Sequence, residues 1–325
     1  MDGTGTLVNT QGNQFNIQGG QLSGNGRNLF HSLEQLGLSQ GQIANFMSTP
    51  QIQNILTRVN GGNASIINGL IQVSGGNSNL FIMNPAGIVF GPNAQLNVPA
   101  DFIATTATAI GLGNGQWFNA VGDNNWSQLV GTPHEFRFDL NGSGSIVNFG
   151  DLKLSEGSNL TLMGANVINL GTLEAPGGTI NILAIPDQQI IRITQEGYLL
   201  SLDIPLDENQ EESPITPLQI PELLTHSGLD HADRFQVNEQ GQIVLSGSGI
   251  EIPDVNGVSL ISGTVNTSAE NGGIINIMGE RIGIIDATLN VSGRFDGGTL
   301  RIGGDFTARS AVSRLKPQII SPLKT

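Results

Sequence analysis

A chain of 325 residues with net charge −14, 45 glycines and no cysteine cannot be built on disulfides, a thiolate metal cluster or a thiol nucleophile. Without a Lys/Arg stripe it is poorly suited to nucleic acid or to an anionic membrane surface. Charged residues are 12% of the chain, against about 25% in ordinary domains, a balance that suits short strands and tight turns rather than helices.

Residues 1–112 are expected to form an N-terminal cap and the first coils of a repeating structure. The exception is a helix-like fragment, STPQIQNILTRV, where Thr49 would cap and Pro50 would take the first helical position, either as a short helix or as only a single turn. Ile71-Gln72-Val73 recurs as Leu96-Asn97-Val98, 25 residues on, and Leu80-Phe81-Ile82 and Phe102-Ile103-Ala104 follow each by a turn.

Residues 113–185 carry Trp117 and Trp126, then HEFRFDL, which reads as a strand outside the coil covering one face. Next comes a clear repeat. VNFGDL from Val147 recurs as INLGTL from Ile168, at an offset of 21. Residues 186–240 read as an inserted β-hairpin turning at Glu196-Gly197, followed by an acidic, proline-containing loop. Coils are expected again over 241–306, where GTVNTSAENGG from Gly263 recurs as ATLNVSGRFDGG from Ala287. Residues 307–325 read as an irregular basic tail.

Units of 20 to 25 residues built from short strands and Gly/Asn turns predict an all-β, single-stranded parallel β-helix, a solenoid with extra-helical strands and an inserted β-hairpin. Leu160, Leu162, Ile180, Ile182, Ile275 and Ile277 are expected to stack inward, with Thr, Ser and Asn outward. About a dozen coils at the strand spacing would make a rod on the order of 60 Å long.

RNLFHSLEQL from Arg27, IQNILTRVNGG, NGLIQVSGGNSNLFIMNPAGIVFGPNAQLNV and DFIATTA together resemble the N-terminal haemagglutination-activity domain of filamentous haemagglutinin-like two-partner secretion exoproteins. The resemblance is strongest over residues 3–110. Asn84-Pro85-Ala86-Gly87-Ile88 matches the family's Asn-Pro-x-Gly-Ile signature, and Asn77-Ser78-Asn79-Leu80 equals a tetrapeptide named as a motif in that family.

This resemblance implies a right-handed β-helix recognised by a partner outer-membrane β-barrel transporter. It implies passage through the periplasm of a Gram-negative bacterium to the cell surface or medium, and adhesion with host or surface carbohydrate or protein receptors as further partners. Asn77, Ser78, Asn79, Leu80, Asn84, Pro85, Gly87 and Ile88 become the candidate transporter-recognition or coil-nucleation residues. Members of the family begin with a cleavable signal and continue into further repeats. Neither is read here, so the expectation is a mature fragment, a truncated product or a short exoprotein. In turn chemistry, Asn bonds its own backbone, Pro presets φ near about −65° and Gly supplies a positive φ before Ile re-enters the core.

The alternatives are a β-helical polysaccharide lyase or hydrolase, or a carbohydrate-binding module. Asp286, Asp296 and Asp305 recur near Arg281, Arg294 and Arg301, but all lie in Gly-rich turns, where Asp is an ordinary turn residue. His226 and His231 in HSGLDHAD do not share a helix face, and GGTLRIGGD lacks a nine-residue calcium-binding period. His31 and His134 stand alone as packing or surface residues. The sequence therefore points to no catalytic set, metal, cofactor or nucleic-acid partner, and to no membrane-inserted segment. One Tyr and two Trp give a glycan-stacking surface little support.

Overall fold

The computed structural model describes residues 3–113, 115–139, 144–185, 189–193 and 256–303, with short strands at Leu199–Ser201, Phe235–Val237, Ile243–Leu245, Glu251–Ile252 and Ile319–Ile320. One coil shows the plan. Leu70–Ser74 lies in sheet 1, Asn79–Met83 in sheet 2 and Ile88–Phe90 in sheet 3, and Gln95–Asn97 returns to sheet 1 directly above Leu70 to Gln72. Each coil thus has three strands, and every strand pairs in parallel with its equivalents in the coils before and after. The fold is a parallel β-helix. The third strand escapes a two-strand reading of the repeat because at three residues it is too short to show alternation.

Sheet 1 contains eight parallel strands, from Gln14–Gly19 to Thr288–Asn290, and sheet 2 another eight, from Asn28–Leu33 to Thr299–Ile302. The described coils therefore span about 34 Å at the strand spacing, shorter than a dozen coils would give. The difference is chain spent outside the helix: Phe102 pairs with Leu160 and Ile180 with Ile275 across two long excursions.

The core is a set of columns. In sheet 2 Leu29, Ile55, Leu80, Phe102, Leu160, Ile180, Ile275 and Leu300 stand in register, one per coil. All are buried except Leu300, 41% exposed in the last described coil. Each buried Leu or Ile contributes about 1.5–3 kcal/mol. The adjacent outward column reads Phe30, Leu56, Phe81, Ile103, then Thr161, Asn181, Asn276 and Arg301. Thr161, Asn181 and Asn276 do point outward, yet they are buried, joined by side-chain hydrogen bonds of 3.1 and 2.7 Å.

The apolar half of that outward column needs a cover. Ala109–Gly111, Trp117–Asn119, Glu135–Phe138 and Gln189–Ile193 form an antiparallel sheet whose Ile110, Phe118, Phe136 and Ile191 pack with Phe30, Leu56 and Phe81 in a second core. Arg58 bolts the cover down. It is 1% exposed, donates from Nε to Ser32 Oγ at 3.0 Å and from NH1 to the carbonyls of Asn119 and Gly122 at 2.9 and 2.8 Å, and lies over the Trp126 ring. The cover continues as Leu199–Ser201, paired antiparallel with Gln189–Ile193. Glu196-Gly197, the acidic loop and HSGLDHAD lie outside the described residues, as does most of 307–325, although Ile319–Ile320 pairs in parallel with Ile282 and Gly283. Ile243–Leu245 belongs to a small antiparallel sheet with Phe235–Val237 and Glu251–Ile252, and among the described residues the first coil strand after the insertion is Val258–Ile261 rather than one starting at 241.

Of the two readings of STPQIQNILTRV, the single turn holds and the helix does not. Thr49 and Pro50 form a single turn closed by Ile52 N–H donating to the Thr49 carbonyl at 3.1 Å, and Asn54–Val59 is a fully buried strand between Asn28–Leu33 and Asn79–Met83. A helix would bury one face of this segment. The strand buries both, with Ile55 and Val59 in the main core and Leu56 under the cover.

At the N-terminal end Thr6–Gln11 caps the first coil by pairing antiparallel with Gln14–Gly19. Beneath it His31 occupies a core position in register with Thr57, and its Nδ1 meets Thr6 Oγ1 at 3.3 Å. Burial lowers the His31 pKa from 6.5 to about 4. The unfolded chain binds this proton at the higher pH, so the contribution of neutral His31 is complete above pH 6.5 and falls away as pH drops toward 4. The loss is about 3 kcal/mol. Urea midpoints at pH 7.5 and 4.5 test this, and His31→Leu is expected to remove that part of the pH dependence. Arg58→Ala is expected to destabilise by about 3 kcal/mol through stranded carbonyls under the cover, with Arg58→Lys recovering only part because it lacks the planar fork.

Candidate functional site

Asn84, Pro85, Ala86 and Gly87 form a β-turn closed by Gly87 N–H donating to the Asn84 carbonyl at 3.0 Å. Pro occupies the position where its preset φ fits, and the single positive φ of the turn, 120°, falls on Gly87. The Asn84 side chain is the hub. Its Oδ1 accepts from Ala86 N–H at 3.0 Å, while Nδ2 donates to the Asn63 carbonyl at 3.0 Å and to Ser65 Oγ at 2.9 Å, both in the preceding coil.

The next coil closes over the turn. Gly144 N–H donates to the Pro85 carbonyl at 2.8 Å, and Ile88 N–H donates to the Ser145 carbonyl at 3.0 Å. A Cβ on Gly144 would sit 2.4 Å from the Gly87 nitrogen, so only glycine allows this approach. Ile88 then enters the core between Ser65 and Ile146, wholly buried. All five residues Asn84 to Ile88 are buried.

Asn77 to Leu80 is a different kind of segment. Asn77 is exposed, Ser78 is buried and donates from Oγ to the Ile52 carbonyl at 2.6 Å, and Leu80 fills the core column. Asn79 belongs to an amide column along the edge of sheet 2: Asn54 Nδ2 donates to Asn28 Oδ1 at 2.8 Å, Asn79 Nδ2 to Asn54 Oδ1 at 2.9 Å, and Asp101 N–H to Asn79 Oδ1 at 3.1 Å. Asp101 continues it by accepting from the Asn159 backbone N–H at 2.8 Å and its side-chain amide at 3.2 Å. Burial pushes the Asp101 carboxyl up, opposed by those bonds from Asn159. The two motifs are therefore neighbours in one coil joined by the strand Asn79–Met83, one forming a junction and the other a ladder rung.

The candidate enzyme residues do not form such a unit. Asp286 is exposed at the corner between sheets 3 and 1, and Asp296 at the corner between sheets 1 and 2, while Asp305 lies outside the described residues. Arg301 donates to Asn276 Oδ1 at 3.2 Å. Among the described residues no group of three His, Asp or Glu could hold a metal. His134 Nδ1 lies 2.8 Å from the Thr132 carbonyl.

The family described as TPS secretion domain matches residues 2–245, three-quarters of the chain. The chain belongs to the TPS secretion domain family. As such it is a two-partner secretion module with a partner transporter, the signature of an exported exoprotein. The structure is similar to the HMW1 secretion domain from Haemophilus influenzae, at 19% identity and TM-score 0.50, covering 92% of this chain and 74% of that one. It also matches a filamentous hemagglutinin secretion domain at 13% identity and TM-score 0.37, over 92% and 97% of the two chains. A search of curated proteins finds no match. The coil strands from Val258 onward lie beyond the matched residues and continue the same three sheets.

Sequence reasoning reached the turn but missed what holds it. Asn63, Ser65 and Gly144 carry no local signal, because Gly144 meets Gly87 only across the intervening chain that holds the first three cover strands. The ladder was legible in principle, since Asn28, Asn54 and Asn79 recur at the coil period. Asn84→Ala would strand the Ala86 N–H, the Asn63 carbonyl and Ser65 Oγ, at an expected cost of about 2–4 kcal/mol. Asn84→Asp keeps the Ala86 bond but sets a carboxylate against the Asn63 carbonyl, and is not expected to rescue. Gly144→Ala is expected to cost about 1–3 kcal/mol through overpacking. Chemical denaturation of the three variants measures these costs.

Proposed function

We propose that this domain is exported through a partner outer-membrane β-barrel transporter, crosses the periplasm of a Gram-negative bacterium, and serves adhesion rather than catalysis at the surface or in the medium. Host or surface carbohydrates or proteins are its receptors. Asn77, Ser78, Asn79, Leu80, Asn84, Pro85, Gly87 and Ile88 form the segment that engages the transporter and then starts the coil.

The observation that carries this reading is the burial of the Asn84–Ile88 turn between two coils. A folded turn offers a receptor no side chain, so the motif is available only while the chain is extended. Engagement precedes closure of the coil, and closure withdraws the motif and releases the chain. A solenoid adds coils one at a time onto an existing edge, so folding beyond the membrane biases movement outward. Among the described residues no helix is long and apolar enough to cross a membrane.

Secretion of the chain behind a signal peptide, with and without its transporter, tests the reading. Export is expected to depend on the transporter and to fall at least tenfold in Asn84→Ala,Pro85→Ala. Gly144→Ala separates the two roles of the motif. It weakens the same junction without touching residues 77–88, so its export is expected to stay within about threefold of the parent. Equal loss in both would reduce the motif to a stability element, and transporter-independent export would overturn the proposal.

A further inference from the structure

Beside the cover, a cleft of about 530 Å³ opens between the amide column of sheet 2, with Asn54, Asn79, Asp101 and Asn159, and a facing wall of Pro133, Phe136 and Ile193. That volume is ordinary for a binding site. Phe81 and Ile103 supply an apolar floor, and Arg27, Asn77 and Ala100 line the rim.

Asn54 and Asn79 each spend one N–H on the preceding coil and one carbonyl lone pair on the following one. A primary amide has two of each. Asn54 and Asn79 therefore each keep a second donor and a second acceptor, one coil spacing of about 4.8 Å apart, whereas both N–H bonds of Asn28 go to the Leu129 and Gly131 carbonyls. An extended backbone carries the complementary groups, one N–H and one C=O per residue.

We propose that this cleft binds a short extended segment of a partner polypeptide, its backbone pairing with the amide column and one aliphatic side chain entering the floor. Peptide recognition of this kind draws affinity from main-chain bonds and specificity from a side-chain pocket. Arg27 at the rim favours an acidic residue beside the aliphatic one. A glycan is the poorer fit: Phe81 and Phe136 are 4% and 1% exposed, so neither offers an open ring face for a sugar. The site belongs to the folded domain and is independent of how the chain crosses the membrane.

A phage library of random dodecapeptides panned on the immobilised full chain tests the proposal, with Ala100→Trp, which fills the rim, as the parallel target. Enriched sequences are expected to share an aliphatic residue next to an acidic one. The corresponding synthetic peptides, measured by calorimetry, are expected to bind Ala100→Trp at least tenfold more weakly. Arg27→Ala, a partly exposed rim change, is expected to weaken binding at least threefold with an unaltered melting curve, and it carries the test if Ala100→Trp melts early. Absence of enriched peptides, or peptides indifferent to both variants, would overturn the proposal. So would cleft-dependent binding on an array of neutral glycans, which would give the site to sugars instead.

Discussion

Each coil strand of this molecule pairs with its own counterpart one coil away, and that register is the constraint on which the rest depends. A side chain in a parallel β-helix has its counterparts above and below at the strand spacing, so each position must suit a column rather than a local neighbour. Leu29 through Ile275 satisfy this with apolar side chains throughout. The amide column from Asn28 to Asn159 satisfies it with groups that donate to the coil before and accept from the coil after. Both solutions are indifferent to how much chain lies between coils, which is why the two long excursions leave the register intact.

The excursions have a physical purpose. The outward column beginning Phe30, Leu56, Phe81 and Ile103 would expose a greasy stripe if the helix were bare, and the antiparallel cover made from residues 109–138 and 189–193 hides it. Where the same column turns polar, at Thr161, Asn181 and Asn276, the side chains bond to one another instead. The first coils therefore finish packing only when the cover arrives: Asn119 and Gly122, which Arg58 holds, lie about 60 residues after it, and the cover strand Gln189–Ile193 about 130.

The Asn84–Ile88 turn joins these two themes. It is the corner at which sheet 2 passes to sheet 3, and its side chain and backbone reach the coil before and the coil after. Its closing partner, Gly144, follows the first three cover strands in sequence and precedes the fourth. The corner is consequently completed late, though its own residues are among the first third of the chain.

Much of the fold was legible from residues alone because the register writes itself into sequence. The offset of 21 between Val147 and Ile168 and the offset of 25 between Ile71 and Leu96 are the same pairs that hydrogen-bond in the structure. The turn was legible too, since Pro85 and Gly87 have few other uses in that order. Tertiary structure alone decided the state of Asn54–Val59, where local cap and proline signals favoured a helix and long-range burial of both faces won. It decided equally that His31 and Thr57 sit in the core, and that a glycine 57 residues away closes the turn. A column announces itself by repetition, whereas a contact made once, across an insertion of arbitrary length, leaves no period in the sequence to read.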